Sequence, residues 1–135
     1  MSNAKPKIIP QDKTMAAEAA ERFRKLDEKQ IEKLKRIARH SAFFRHAPVK
    51  YYPYINKHIL PIWYDMGILT GFDTDKNALV WLEKDIKNHV RQLDLTETLV
   101  LINSCLAGAC EADHWYKVGV TSALFKHLIE LKETR

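Results

Sequence analysis

The sequence predicts an all-α protein, a compact array of five or six helices with a long, basic, amphipathic helix near its N-terminus. Apolar residues recur with a helical period wherever a period is clear, and no stretch alternates as a half-buried strand does. Good helix formers run from Pro10 to Pro48 without an intervening proline or glycine. A length of 135 residues suits one domain. We therefore expect a disordered or extended tail over residues 1–12 and a single helical domain over residues 13–135.

The N-terminal helix is predicted from about Thr14 to about Arg45, either as one helix or as two nearly collinear ones. Its apolar positions keep one phase at 100° per residue and cover a face about 140° wide. They are Ala16, Ala19, Ala20, Phe23, Leu26, Ile31, Leu34, Ile37, Ala38, Ser41 and Phe44. Asp27 and Gln30 have the spacing of a capping box, where the helix could break. An unbroken helix of this length would exceed the width of the domain, so it would project or pack on another chain.

Residues 48–75 are rich in proline, glycine and aromatic residues and predict two short helices. Pro53 and Pro61 each suit the first turn of a helix, which tolerates the missing amide hydrogen. Gly67 suits the position just past a helix end. A turn is expected over residues 70–73.

Three further helices are predicted in the C-terminal half. The first begins at Asp73 or Thr74 and carries one apolar stripe: Leu79, Leu82, Ile86, Val90 and Leu93. Asp94 and Glu97 form a predicted capping box that opens a strongly apolar helix, which continues to about Ala109. The last helix runs from about Asp113 to Leu131. We expect the last two helices to form the centre of the bundle.

Positive charge is concentrated in one segment of the chain. Residues 22–50 contain 10 Lys and Arg against 3 Asp and Glu, whereas residues 51–135 contain 9 against 11. A localised basic stretch on a nearly neutral body is typical of a docking surface for phosphate or acidic groups.

The basic residues of the predicted N-terminal helix fall on a stripe about 80° wide, well away from its apolar face. The stripe contains Arg22, Lys25, Lys29, Lys33, Arg36 and His40, and Arg39, Arg45 and Lys50 add charge nearby. Such a stripe could follow a phosphate backbone, with counterion release supplying the affinity. The competing interpretation is an ordinary solvated helix face, which Glu28 and Glu32 partly neutralise.

Aromatic residues supply a second indication of nucleic-acid binding. Tyr51 and Tyr52 follow the basic segment, and single-stranded nucleic acids bind basic grooves with rings on which bases stack. Trp81 lies opposite the apolar stripe of its predicted helix, which makes it either a partner contact or a wedge against the short helices. The tyrosines could instead pack against the ends of the core.

No catalytic, metal or cofactor motif is present in the sequence. Glu111 and His114 have the Glu-x-x-His spacing of di-iron bundles, but no second copy accompanies them. Cys105, Cys110 and His114 lack zinc-finger spacing and a fourth ligand, and we interpret both cysteines as reduced, buried thiols. The four glycines form no phosphate-binding loop. We therefore expect no enzyme activity, no metal and no cofactor.

The predicted function is that of a non-enzymatic accessory protein that binds nucleic acid, RNA or DNA, as part of a larger assembly. One alternative is a protein-interaction adaptor or homo-oligomer that assembles through the long N-terminal helix, with the stripe facing an acidic protein partner. A second is a small subunit of a CRISPR-type ribonucleoprotein complex, whose small basic helical subunits this chain resembles in size and class. No apolar run is long enough to span a membrane or to form a secretory signal, so we expect a cytoplasmic protein.

Overall fold

In the computed structural model, which describes residues 4–44, 46, 52–71, 73–108 and 112–133, every regular element is a helix. The eight α-helices within these residues are α1 (Lys13–Arg24), α2 (Glu28–Phe44), α3 (Tyr52–Met66), α4 (Lys76–Lys84), α5 (Ile86–His89), α6 (Leu95–Asn103), α7 (Ala112–Val118) and α8 (Val120–Glu133). A 3₁₀ turn, Val90–Gln92, follows α5, and a π-helical turn, Ser104–Gly108, extends α6. The all-α prediction is confirmed, but the predicted number of five or six helices is wrong.

The predicted long N-terminal helix is divided into α1 and α2. The break falls at the predicted capping box: the Gln30 amide donates to Asp27 Oδ1 at 2.8 Å, and the Asp27 amide donates to Gln30 Oε1 at 3.0 Å. The Lys132 ammonium donates to the carbonyls of Phe23 and Arg24 at the end of α1. A cation at a helix C-terminus satisfies carbonyls that have no helical donor, so α1 ends there at little cost.

The region predicted as two short helices forms a single helix, α3, with Pro61 inside it. Pro61 has no amide hydrogen, so the carbonyl of Lys57, four residues earlier, lacks its usual helical donor. The helix ends at Gly67, as predicted, where φ is +73°. The Ile68 amide donates to the carbonyl of Trp63 at 3.2 Å, in the pattern that closes many helices at a left-handed glycine.

Two more predicted helices are each divided in two. The helix predicted from Asp73 or Thr74 begins instead after Asp75, whose carboxylate accepts from the Ala78 amide at 3.0 Å, and it is interrupted at Asp85. The predicted last helix is interrupted at Gly119, where φ is +88°. Glycine adopts this conformation without the steric penalty of a side chain, which allows the chain to turn between α7 and α8.

The core of the bundle is built on α6 and α8, as predicted. Four consecutive residues of α6, Leu99 to Ile102, are fully buried, which shows that α6 is enclosed on all sides. The capping box at its start is formed as predicted, with the Glu97 amide on Asp94 Oδ1 at 2.8 Å and the Asp94 amide on Glu97 Oε1 at 2.9 Å. Helix α8 packs against α2 and α6, and α1 packs against α6.

The apolar face of α1 and α2 is buried by this intramolecular packing. Phe23 is 1% exposed and Leu34 is 2% exposed within the chain's own core. Ser41, on the same face, donates to Ser122 of α8 at 3.2 Å. Within the chain, α1 packs against α6 and α2 packs against α8, so this apolar face already belongs to the hydrophobic core. Assembly with another chain through the N-terminal helices stays a prediction, and it would need a different face of them.

Candidate nucleic-acid interface

The outer face of α2 carries the centre of the predicted basic stripe. Lys29, Lys33, Arg36 and His40 are all exposed, and their spacing of four, three and four residues places them on one side of the helix. At 1.5 Å per residue they extend over about 16 Å. We call these four residues the α2 stripe.

The packing of α2 orients the α2 stripe toward solvent. The opposite side of the helix buries its apolar residues against α8: Ile31, Leu34, Ile37 and Ala38. Because a helix that buries one face cannot rotate, the charged face is held in place by the core.

The α2 stripe differs from the neighbouring basic residues in its ionic contacts. None of its four side chains forms an ion pair with any residue that the structure describes. By contrast, Arg39 contacts Glu32 at 3.4 Å and Lys35 contacts Glu133 at 2.8 Å. The hydrogen bond that Lys35 donates to Glu133 and the negative charge of Glu133 raise the pKa of Lys35. The paired residues have local counter-charges, whereas the α2 stripe is available to an external anion.

The stripe does not continue onto α1 in the way that one long helix would require. Arg22 lies 3.9 Å from Glu18 and donates to the carbonyl of Gly67 at 3.4 Å, so its guanidinium is directed to the end of α3. Lys25 lies 3.5 Å from Glu21. Both residues are exposed, but each has a partner within α1, and the predicted six-residue stripe is thereby reduced to the four residues on α2.

Trp81 is not a surface contact. It is 6% exposed, and its ring stacks on the ring of His89 with centroids 4.2 Å apart and planes inclined by 5°. The Nδ1 atom of His89 lies 2.7 Å from the carbonyl of Trp81, which fixes the pair. Of the two alternatives given for Trp81, the structure therefore shows packing, here against His89 of α5, and leaves little of the ring open to a ligand.

Four predicted site residues cannot be placed. Arg45, Lys50 and Tyr51 lie outside the described residues, and so does the side chain of Tyr52, although its backbone begins α3. Their proposed contacts stay predictions.

Two exposed aromatic rings that were not among the predicted site residues lie on α2 and α3. Phe43 is 71% exposed and follows His40 by three residues and Arg36 by seven, so it belongs to the same side of α2. Tyr64 of α3 is 74% exposed. On the helical wheel of α2, Phe43 lies away from the apolar face, and this position could have predicted its exposure. Tyr64 had no comparable signal, because its helix was predicted as two.

Two grooves border α3. The smaller, of about 170 Å³, lies between α2 and α3, with Lys29 and Lys33 on one side and Ile62, Asp65 and Met66 on the other.

The larger groove, of about 580 Å³, has mainly apolar walls formed by Met15, Leu60, Pro61, Tyr64 and Leu69. Lys57 and Asp65 supply its charged groups, and Asp65 is common to both grooves. The two grooves therefore adjoin.

The described residues contain no group of three or more His, Cys, Asp and Glu side chains arranged to hold a metal. His114 forms a pair with Glu83 at 2.8 Å, whereas Glu111 and Cys110 lie outside the described part of the chain. Cys105 is buried, as predicted, and burial raises the pKa of its thiol to about 12. A thiol with this pKa is not an activated nucleophile at neutral pH.

Comparisons with known proteins found no family model, no curated protein and no solved structure that matches the chain. None of the helices that the structure describes has the length and apolar character needed to cross a membrane.

Proposed function

We propose that the chain is a non-enzymatic nucleic-acid-binding protein that holds a phosphate backbone on the α2 stripe and acts within a larger assembly. The observation that supports it is the α2 stripe itself, two lysines, an arginine and a histidine in one row, all exposed and without ionic partners among the described residues. Phosphate contacts of this kind give affinity and position without reading base sequence.

Phe43 adds to the proposal. Its ring is 71% exposed at the end of a row of cations and is not part of the core that the described residues form. Exposed rings beside basic side chains are the means by which many proteins hold unpaired bases. The α2 stripe therefore combines a charged surface for phosphates with a flat apolar surface for a base.

The proposal is tested by neutralising the stripe. In the triple variant Lys29→Gln, Lys33→Gln and Arg36→Gln, binding of labelled RNA and DNA at low salt should be lost or weakened by at least 10-fold. The matched control is Lys25→Gln, Lys35→Gln and Arg39→Gln, which removes the same formal charge from residues that are ion-paired. It should retain most of the affinity, because those charges already have partners.

Fluorescence anisotropy with a generic polynucleotide measures both triple variants under identical conditions. No binding by the wild-type chain at low salt would refute the proposed function. Equal loss in both triple variants would show that net charge alone, and not the α2 stripe, is responsible. Binding of an acidic protein in place of any polynucleotide would favour the adaptor alternative.

A further inference from the structure

We infer that the larger groove beside α3 receives an unstacked base of a single-stranded nucleic acid whose phosphates lie along Lys29 and Lys33. This inference rests on the proposed function and makes it more specific, since it selects single strands over duplexes. It is carried by the position of the groove, the chemistry of its walls and the exposure of Tyr64.

The position of the groove matches the geometry of a strand that leaves the α2 stripe. Lys29 and Lys33 form one side of the smaller groove, and Asp65 forms part of both the smaller and the larger groove. A strand whose phosphates contact the two lysines therefore passes next to the entrance of the larger groove. In a duplex the bases face their complements and cannot turn into a groove at the side, whereas in a single strand they can.

The walls of the larger groove are mainly apolar and so suit a base better than a phosphate, although Lys57 also lines the groove. Met15, Leu60, Pro61 and Leu69 supply an apolar surface, and a phosphate would lose its hydration there without gaining a counter-charge from them. The carboxylate of Asp65 would repel a phosphate but accept a hydrogen bond from the exocyclic amino group of a base. The volume of about 580 Å³ is at the size of small-molecule sites and is ample for one aromatic heterocycle.

Tyr64 supplies the stacking surface. Its side chain is 74% exposed although it lines an apolar groove, so its ring has a free surface for a ligand to cover. The groove also contains Lys57, whose backbone carbonyl lacks its helical donor because residue 61 is proline. An apolar site with a few polar groups at its edge is the usual construction of a site for a flat heterocycle.

The test compares single-stranded and duplex DNA of the same sequence, about 15 nucleotides long, by fluorescence anisotropy. Tyr64→Ala should weaken binding of the single strand by roughly 5- to 150-fold, the range that corresponds to loss of one base–aromatic stack, and should leave duplex binding unchanged. Tyr64→Phe keeps the ring and should bind as the wild type does. Because the side chain is exposed, neither substitution should alter the far-ultraviolet circular dichroism.

A second variant gives a direct signal from the groove. In Tyr64→Trp the new indole should be quenched by a single strand and not by the duplex. The inference is overturned if Tyr64→Ala binds single strands as tightly as the wild type, or if it loses single-strand and duplex affinity equally. Both results leave the proposed function standing, because the α2 stripe can still bind phosphates. Failure of the wild type to bind any polynucleotide would refute the proposed function and the inference together.

Discussion

The salt dependence of binding is the prediction that depends most directly on the geometry of the α2 stripe. Lys29, Lys33 and Arg36 are exposed and have no ionic partner among the described residues. If each neutralises one phosphate of a single strand, counterion release contributes about −0.7 per contact to the slope of log affinity against log salt concentration. Three contacts contribute a slope of roughly −2. Between about 50 and about 200 mM salt, the counterion release from these three contacts alone would weaken binding by roughly 20-fold.

The perturbation is the stepwise replacement of these three residues by glutamine. Each step should make the slope shallower by about 0.7, so that the triple variant has lost roughly 2 from the wild-type slope. The assay is an anisotropy titration of a labelled single strand at four or more salt concentrations. The control triple variant at residues 25, 35 and 39 should keep nearly the wild-type slope, because its three cations are already paired with glutamates.

The same experiment contains the result that would refute the reasoning. If the slope is unchanged in the stripe variant, those three side chains do not contact phosphates, whatever the affinity. If the slope becomes shallower by the same amount in both variants, the ion-paired side chains of the control residues also contact phosphates. Either result would refute the hypothesis that the cations without ionic partners form the phosphate-binding surface.

Three further predictions concern stability and the exposed ring of α2. Leu34→Ala should lower the free energy of unfolding by about 2–5 kcal/mol in urea titrations, and the loss should not depend on protein concentration, because this fully buried side chain packs within one chain. Burial raises the pKa of Cys105 from its ordinary value of 9.0 to about 12, so the unfolded thiol ionises first as pH rises. The wild type should therefore lose stability relative to Cys105→Ala by about 1.4 kcal/mol per pH unit between those values, and parallel stability–pH curves would contradict this. Phe43→Ala should change stability by less than about 0.5 kcal/mol, since the ring is exposed, yet weaken single-strand binding by roughly 5-fold or more; unchanged binding would exclude stacking on this ring.

The periodicity of the apolar residues was sufficient to predict the helical class and the helix faces that are buried in the core. It could not reveal a break between two helices whose apolar residues keep the same phase. The residues of the predicted apolar face fit one helical wheel, and all those whose side chains are described are buried, although the helix is interrupted between Arg24 and Glu28. Capping residues predicted the break at Asp27, where local hydrogen bonds decide the outcome. The end of α1 depends in addition on Lys132, which is distant in sequence, and no local pattern contains that contact.

The candidate site was predictable only where one helix face defines it. The α2 stripe follows from spacing within a single helix, and the structure leaves it exposed. The burial of Trp81 could not be predicted, because it depends on how α5 turns back after Asp85 and places His89 against the ring. This contact belongs to the tertiary structure. The larger groove was beyond the sequence for the same reason, since its walls come from α1, from α3 and from the segment after α3. Pro61 misled the prediction there, because proline is disfavoured inside a helix and yet occurs inside α3.

Asp65 connects the two surfaces and explains why they would act on different parts of one ligand. Asp65 lines both grooves, and Lys29 and Lys33 line the smaller one with it. If the proposal holds, a phosphate would be attracted by the lysines and repelled as it approaches Asp65, so it would stay on the α2 side. A neutral base would meet no such repulsion and would find apolar walls in the larger groove. Backbone and base would then be separated across the width of α3, and only a strand with unpaired bases would contact both grooves at once.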